Sequence, residues 1–509
     1  MATVGQQLTT PESGWRRYTQ SDSRFLYIGT GWSYNSSDSL WINNDKYQAI
    51  SITDTNSVYI KFKFYGSKIR VLSTRYSGMP NKINIIIDGV AEQFSLAGSN
   101  QVATLIYEKL DLTLEMHEVK VMLDSECSPK NLYWDCIDID DTGYLVHPTL
   151  NQVSSLLNMQ IGDCIPCRYT ALTSGVAGYF SELGTCIANE IPITGSATPD
   201  GLFYLIKSDK GTLISDRVIQ TNISWDVLNA ARFIEGNMVV ESEKSLIPKM
   251  FSNVNSNIIV SASSEYNTSY SAYKAFNRIL NNEGWISNGR TGFLKVDLFN
   301  GFIAKYYSVT YERTELTGSP NTWTFQGSND NSTWETLDTR TGETTWYYRE
   351  KKCYKLSNTK SFRYYRINVT ANNGLVWMGI GELGIYDSSI TPYFIRSLSG
   401  GVVYADIDGN PIATNYNSKA FPLNNEWDKY IVGSDLEEKI IPGDNTIWNA
   451  TPYSWCKETV SISLGVSSQK SNRGVLGTGW AVGTTVGATL GFRPVLNYIE
   501  SDVANDFIY

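Results

Sequence analysis

The sequence predicts a mostly β protein made of several β-sandwich domains in tandem, and three observations carry that prediction. Apolar and polar residues alternate with a period of two: Val58, Ile60, Phe62 and Phe64 against Tyr59, Lys61 and Lys63, and Val119, Val121 and Leu123 against Glu118 and Lys120. These runs are short and end in turn residues, as where residues 84–87 reach Asp88-Gly89. A chain of 509 residues also exceeds what one core holds, which implies three or four domains.

Taken in order, residues 1–11 read as an attachment segment and residues 12–147 as a first sandwich. The sandwich closes where Ile137 and Ile139 alternate with Asp138 and Asp140 before Gly143-Tyr144. Residues 148–246 form a different, middle domain with a turn at 196–201. It holds the one short helix, expected over 224–235, with Ser224 as cap, Asp226 in the first turn and Gly236 as stop. Trp225, Leu228 and Ala231 share its apolar face. Residues 247–387 form another sandwich, in which Leu294, Val296 and Leu298 point one way. There a Ser328-Asn329-Asp330-Asn331 turn precedes Trp334, expected to be buried. Residues 388–509 are rich in Gly, Trp and Tyr and read as a separate tip domain.

Composition narrows the function. A formal charge of −9 without long basic runs argues against nucleic acid as a partner. No apolar run reaches the ~18 residues of a membrane span, and the N-terminus lacks the marks of a signal peptide. Seven scattered cysteines suit reduced thiols better than a disulfide framework. Cys164-Ile-Pro-Cys167 has zinc-knuckle spacing with Cys186 as a third candidate ligand, but no second pair completes a tetrahedral site. Only His117 and His147 are present, and no nucleophile elbow, phosphate loop or metalloprotease motif occurs, so no enzyme is expected. Thirty-two Tyr and fourteen Trp exceed what the core needs and suit binding faces. Trp32, Tyr34, Trp41 and Tyr76 fall outside the strand alternation, where they either stack on sugar rings or pack the sandwich edge.

Several stretches resemble known families. VYIKFKFYGSKIRVLS, INIIIDGV and CIDIDDTGYL resemble the jelly-roll carbohydrate-binding modules found in phage tail proteins and beside hydrolases. The segments MQIGDCIPCRYTA, FSELGT, TPDGLFYLIK and LISDRVIQTNISWDVLN resemble a block recurrent in tail proteins of phages that infect Gram-positive bacteria. SAYKAFNRILNNEGWIS, FLKVDL, WTFQGSNDNSTWETL, FRYYRINV and GELGIY resemble a discoidin domain, also called the F5/8 type C or family 32 carbohydrate-binding fold. NEWDKYIVG, PGDNTIWN and YSWCKETVS resemble the C-terminal domain of phage tail and fibre proteins.

The discoidin resemblance implies a sugar site at the loop end of the sandwich. Trp377 matches the position of the stacking aromatic, Arg313 that of an arginine donating to ring hydroxyls, and Tyr266 and Asn267 lie in the first loop. Trp285 matches the family's buried tryptophan. The family often holds a structural calcium. Glu382 matches one carboxylate of that site, whereas Asn277 stands where the other usually falls and supplies only a neutral oxygen. In the last domain Trp448, Trp455, Trp480 and Arg473 either line a receptor pocket or form the core. Together the resemblances imply a receptor-binding protein of a phage tail, made in the bacterial cytoplasm. Its expected partners are a host cell-wall or surface glycan, other tail or baseplate proteins, and copies of itself, with a trimer favoured. The alternatives are a non-binding spacer or baseplate decoration, and a polysaccharide depolymerase.

Overall fold

The computed structural model describes residues 2–498 except 157–158, 185, 187, 240–244, 256, 388–392, 407, 413–419, 462–468 and 475–476. It is mostly β, with several packed sheets.

In the first sandwich, the strand Tyr59–Gly66 buries Ile60, Phe62 and Phe64 completely while Tyr59, Lys61 and Lys63 stay half-buried. The partner strand Glu115–Leu123 sets Val121 opposite Ile60 and Val119 opposite Phe62, so the two apolar combs share one face. Asp88 and Gly89 both take positive φ, 49° and 83°, which gives the tight turn between Ile83–Ile87 and Val90–Phe94. The opposing four-stranded sheet runs Trp15–Thr19, Cys136–Asp140, Ile69–Arg75, Gln101–Lys109. Residues 2–9, within the expected attachment segment, pack as part of this unit. Gly5 and Leu8 donate backbone hydrogen bonds to Leu105 and Ala103, and Arg17 donates to the carbonyls of Leu8 and Thr9.

The middle and last stretches differ most from the sequence reading. The strands Tyr393–Ser397 and Pro494–Tyr498 complete the sheet begun by Asp163–Thr170, Asp200–Asp209 and Thr212–Ser215, and Asn237–Val239 closes its other edge. A five-stranded sheet likewise joins Gln220–Thr221 to Leu490–Phe492, Tyr453–Thr459, Gln469–Gly474 and Gly477–Val482. Residues 148–246 and 388–509 are therefore not two domains but two halves of one composite domain, and the second sandwich is inserted between them. The core explains why. Phe180, Phe203 and Phe233 pack in one cluster with Trp455, Phe492 and Leu496, so neither half could bury its apolar face alone. Trp225 Nε1 donates to the carbonyl of Cys456 and Trp455 Nε1 to that of Ile223, both at 2.9 Å.

The helix is shorter than expected, Trp225–Ala230, with the Ser224 side chain accepting from Val227 N. Ala231 ends it and residues 231–235 turn back into the core, where Phe233 and Ile234 are buried. The first sandwich leans on the composite domain through Tyr144, stacked on Tyr65 and edge-on to Tyr204.

The inserted sandwich packs a six-stranded sheet (Val254–Asn255, Ile258–Ala262, Gly292–Phe302, Phe362–Asn372, Pro320–Ser328, Glu335–Arg340) against a three-stranded one (Glu350–Lys355, Tyr306–Tyr311, Glu382–Tyr386). Leu294, Val296 and Leu298 are buried together with Trp285 and Trp323. Trp334 is only half-buried, under the Arg366 guanidinium at 4.0 Å from its ring centre.

Candidate functional site

The strand order of the inserted sandwich brings three connections, residues 263–284, 312–319 and 373–378, to one end. Backbone bonds tie them together: Asn373 N donates to Ser319 O and Leu375 N to Thr317 O. Asn372 donates from Nδ2 to the carbonyls of Leu375 and Trp377, and Asn373 from Nδ2 to Ser319 Oγ and Glu343 O. These asparagines, which sequence alone would leave in an exposed turn, are half-buried and hold the loop in one shape.

Trp377 is thereby presented half-buried at the end of the fold. Its ring edge lies on Gly318, where a Cβ would come within 2.5 Å of Cζ3; only glycine leaves room for the indole. The Arg313 guanidinium carbon stands 5.5 Å from the centre of the Trp377 ring and 4.8 Å from that of Tyr270. Among the described residues Arg313 is anchored only through Nη2, to the carbonyls of Asn282 (2.7 Å) and Glu283 (3.2 Å). Its Nε and Nη1 donors have no acceptor among the described residues. Tyr266 is exposed and meets Tyr270 edge-on at 6.4 Å.

The structure thus unites Trp377, Arg313 and Tyr266. Asn267 serves the loop instead, since its Oδ1 accepts from Ser269 N and caps the short turn Thr268–Tyr270. Tyr270, which sequence reasoning missed, takes a place in the cluster through that turn. Its aromatic character beside Tyr266 was the available signal.

The two residues matched to a calcium site are both buried. Asn277 is buried, its Nδ2 donating to Glu283 Oε2 (3.1 Å) and its Oδ1 accepting from Ile279 N (2.9 Å), so its amide holds the loop. Glu382 is buried on the outer face of the three-stranded sheet. No group of three acidic, histidine or cysteine side chains suited to a metal occurs among the described residues.

The other sequence candidates divide between core and surface. Trp448 and Trp455 are fully buried, and Arg473 is buried with Asp428 as its ion-pair partner, so these three belong to the composite core; Trp480 is exposed. In the first sandwich Trp41 is buried against Tyr133, whereas Tyr34 is exposed and Trp32 half-buried beside Tyr27. Cys164 and Cys167 lie in separate apolar clusters, so the pair does not converge on one metal. His117 is buried between Asp88 Oδ2 (2.6 Å) and the carbonyl of Thr113 (2.8 Å). Burial is the largest single influence and opposes its charge, but the hydrogen bonds to Asp88, Thr113 and Gly66 together with the Asp88 charge outweigh it and hold the imidazole above its ordinary value.

No protein-family model matches the chain, and no curated protein matches it either. Among solved structures it is similar to chitosan-binding module 1 of a chitosanase/glucanase from Paenibacillus sp. IK-5, with 19% identity over 28% of this chain and 98% of that one, at a TM-score of 0.23. It is similar as well to the family 32 carbohydrate-binding module of Clostridium perfringens NanJ, solved with galactose (17% identity, 29% and 98% coverage, TM-score 0.23). A third is the family 32 module of Streptococcus pneumoniae EndoD (11% identity, 28% and 99% coverage, TM-score 0.24).

Proposed function

We propose that this chain is a non-catalytic adhesion protein that grips a saccharide at the loop end of its inserted sandwich. The observation that carries this reading is the placement of Arg313 between the rings of Trp377 and Tyr270 with only Nη2 anchored. A pyranose offers a C–H face to an indole and vicinal hydroxyls to a guanidinium fork, and here the guanidinium stands over one face of the Trp377 ring, leaving the other for the sugar. The loops are fixed by their own hydrogen bonds, so little ordering is required on binding. The phage-tail role, with a host wall glycan as receptor and a trimer multiplying weak single-site affinity, rests on the sequence resemblances and on the arithmetic of avidity.

The test is a titration of wild-type and Trp377→Ala protein against a panel of neutral mono- and disaccharides, followed by binding to whole cells. Affinity should fall by about tenfold in the variant, equivalent to about 1.4 kcal/mol, with the melting temperature unchanged. Equal affinity of a folded variant would remove the site. Release of reducing ends from host polysaccharide by the purified chain would instead support the depolymerase reading.

A further inference from the structure

The outer face of the inserted six-stranded sheet carries two adjoining cations without a carboxylate partner among the described residues. Tyr365, Ile367 and Phe325 pack in the core with Leu294 and Val296, so the alternate residues Arg366, Gln326 and Lys295 point outward. The register sets Ser261, Lys295, Arg366, Gln326 and Thr336 opposite one another, strand by strand. At ~4.8 Å per strand this polar row crosses roughly 19 Å of the sheet. The composite domain meets the sandwich on its other side, where Arg349 reaches Ala177 and Arg232 lies over Tyr347.

Lys295 and Arg366 are direct cross-strand partners of like charge, an arrangement that costs stability unless something compensates it. Their hydrogen-bond partners are neutral: Lys295 Nζ donates to Asn331 Oδ1 at 2.9 Å, and Arg366 Nε to Gln326 Oε1 at 2.7 Å. Burial alone acts on the Arg366 charge and lowers its pKa, with no carboxylate to raise it. Arg363 on the same face shows the contrast, since Asp297 holds it with two bonds of 2.8 Å. The other acids near the row are occupied too, Glu335 by Lys360 and Asp330 by the backbone N–H groups of Ser332 and Thr333.

Arg366 is also held in place. Its guanidinium carbon lies 4.0 Å from the ring centre of Trp334 and 5.5 Å from that of Phe293. Gln326, which accepts from its Nε, is fixed in turn by donating from Nε2 to Thr336 Oγ1 at 3.2 Å. With Nε engaged, Nη1 and Nη2 remain as a fork on a half-buried side chain. Such a preset fork matches the two oxygens of a carboxylate, and Lys295 stands beside it as a second charge.

We infer that this sheet face is a second ligand site, which takes an extended acidic polysaccharide through its uronate carboxylates. Arg366 and Lys295 receive the carboxylate, while Ser261, Gln326 and Thr336 offer hydroxyl and amide groups to sugar hydroxyls along the row. Charge complementarity selects an anion, on a chain whose overall charge is −9. The row is polar from strand to strand and lies on a face whose backbone groups are used within the sheet. It therefore offers neither the apolar pockets nor the free edge by which peptides dock. A planar carboxylate meets the fork edge-on, without the guanidinium face that Trp334 covers. The site lies away from the loop end and stands independently of Trp377.

The test titrates the full chain at low salt with polygalacturonate oligomers. Poly(glycerol phosphate) and poly-glutamate serve as alternative anions, and dextran as the neutral control. Saturable binding of polygalacturonate that weakens with salt is expected. Arg366→Gln should weaken it by at least about tenfold. Lys295→Glu, which leaves the Arg366 contacts to Trp334 and Gln326 in place, should do so by a similar factor. Lys360→Gln, which removes an exposed cation already paired with Glu335, should leave it unchanged. Wild-type protein that does not bind polygalacturonate, or binds any of the other three polymers as tightly, would overturn the proposal. So would unchanged affinity in an Arg366→Gln or Lys295→Glu protein whose melting temperature shows it folded.

Discussion

Phe233 and Phe492 stack with ring centres 5.2 Å apart and planes 22° from parallel, although an entire sandwich separates them in sequence. The contact joins the two halves of the composite domain. Phe492→Ala should destabilise that domain by about 3–5 kcal/mol while the unfolding transition of the inserted sandwich stays in place. Calorimetry, which resolves the domains as separate transitions, checks this; a uniform shift of all transitions would contradict the assignment.

The insertion begins and ends on neighbouring strands, with Val239 paired to Tyr393 in antiparallel register. Replacing residues 240–392 by a turn of about four residues should therefore leave a folded composite domain with a new hairpin. Deleting everything from residue 247 onward should instead unfold the middle region, because it removes the strands Tyr393–Ser397 and Pro494–Tyr498. Circular dichroism and proteolysis of the two proteins distinguish these outcomes.

His147 is buried where the first sandwich meets the composite domain, with Nδ1 at 2.8 Å from Thr149 Oγ1 and Nε2 at 3.2 Å from Thr446 Oγ1. Burial lowers its pKa to about 4. The unfolded chain then holds the extra proton between about pH 6.5 and 4, so stability is flat above that window and falls through it on acidification, by on the order of 3 kcal/mol. Melting against pH, with His147→Gln as the variant that flattens the curve, measures it.

Glu312 shows the opposite slope. Both its carboxyl oxygens are buried without hydrogen-bond partners among the described residues, and desolvation raises its pKa to about 8. The native state keeps the proton longer than the unfolded one, so stability declines as pH climbs from about 4.5 to 8. Glu312→Gln should match wild type near pH 4 and exceed it near pH 8 by on the order of 3 kcal/mol. Denaturation at the two pH values is the measurement.

The β character was legible because the alternation in residues 58–64 and 119–123 is local and survives unchanged in the sheets. Trp377, Arg313 and Tyr266 were singled out by the discoidin resemblance, while Tyr270 was not, because a capped turn sets its ring direction. The composite domain was hidden for a different reason. A strand such as Pro494–Tyr498 displays its faces in sequence but not its partners, and those lie at 212–214 and 393–397. Likewise Arg473 sits among glycines that look like an open surface, and only long-range packing encloses it and Trp448.

The side-branch attachment also governs how the molecule bears load. A pull on any ligand held at Trp377 would reach the rest of the chain through the adjoining ends of Asn237–Val239 and Tyr393–Ser397. Tension applied there separates paired strands one hydrogen bond at a time instead of shearing many together. Resistance must then come from side contacts such as Arg232 against Tyr347, at 4.1 Å, and Arg349 against Ala177.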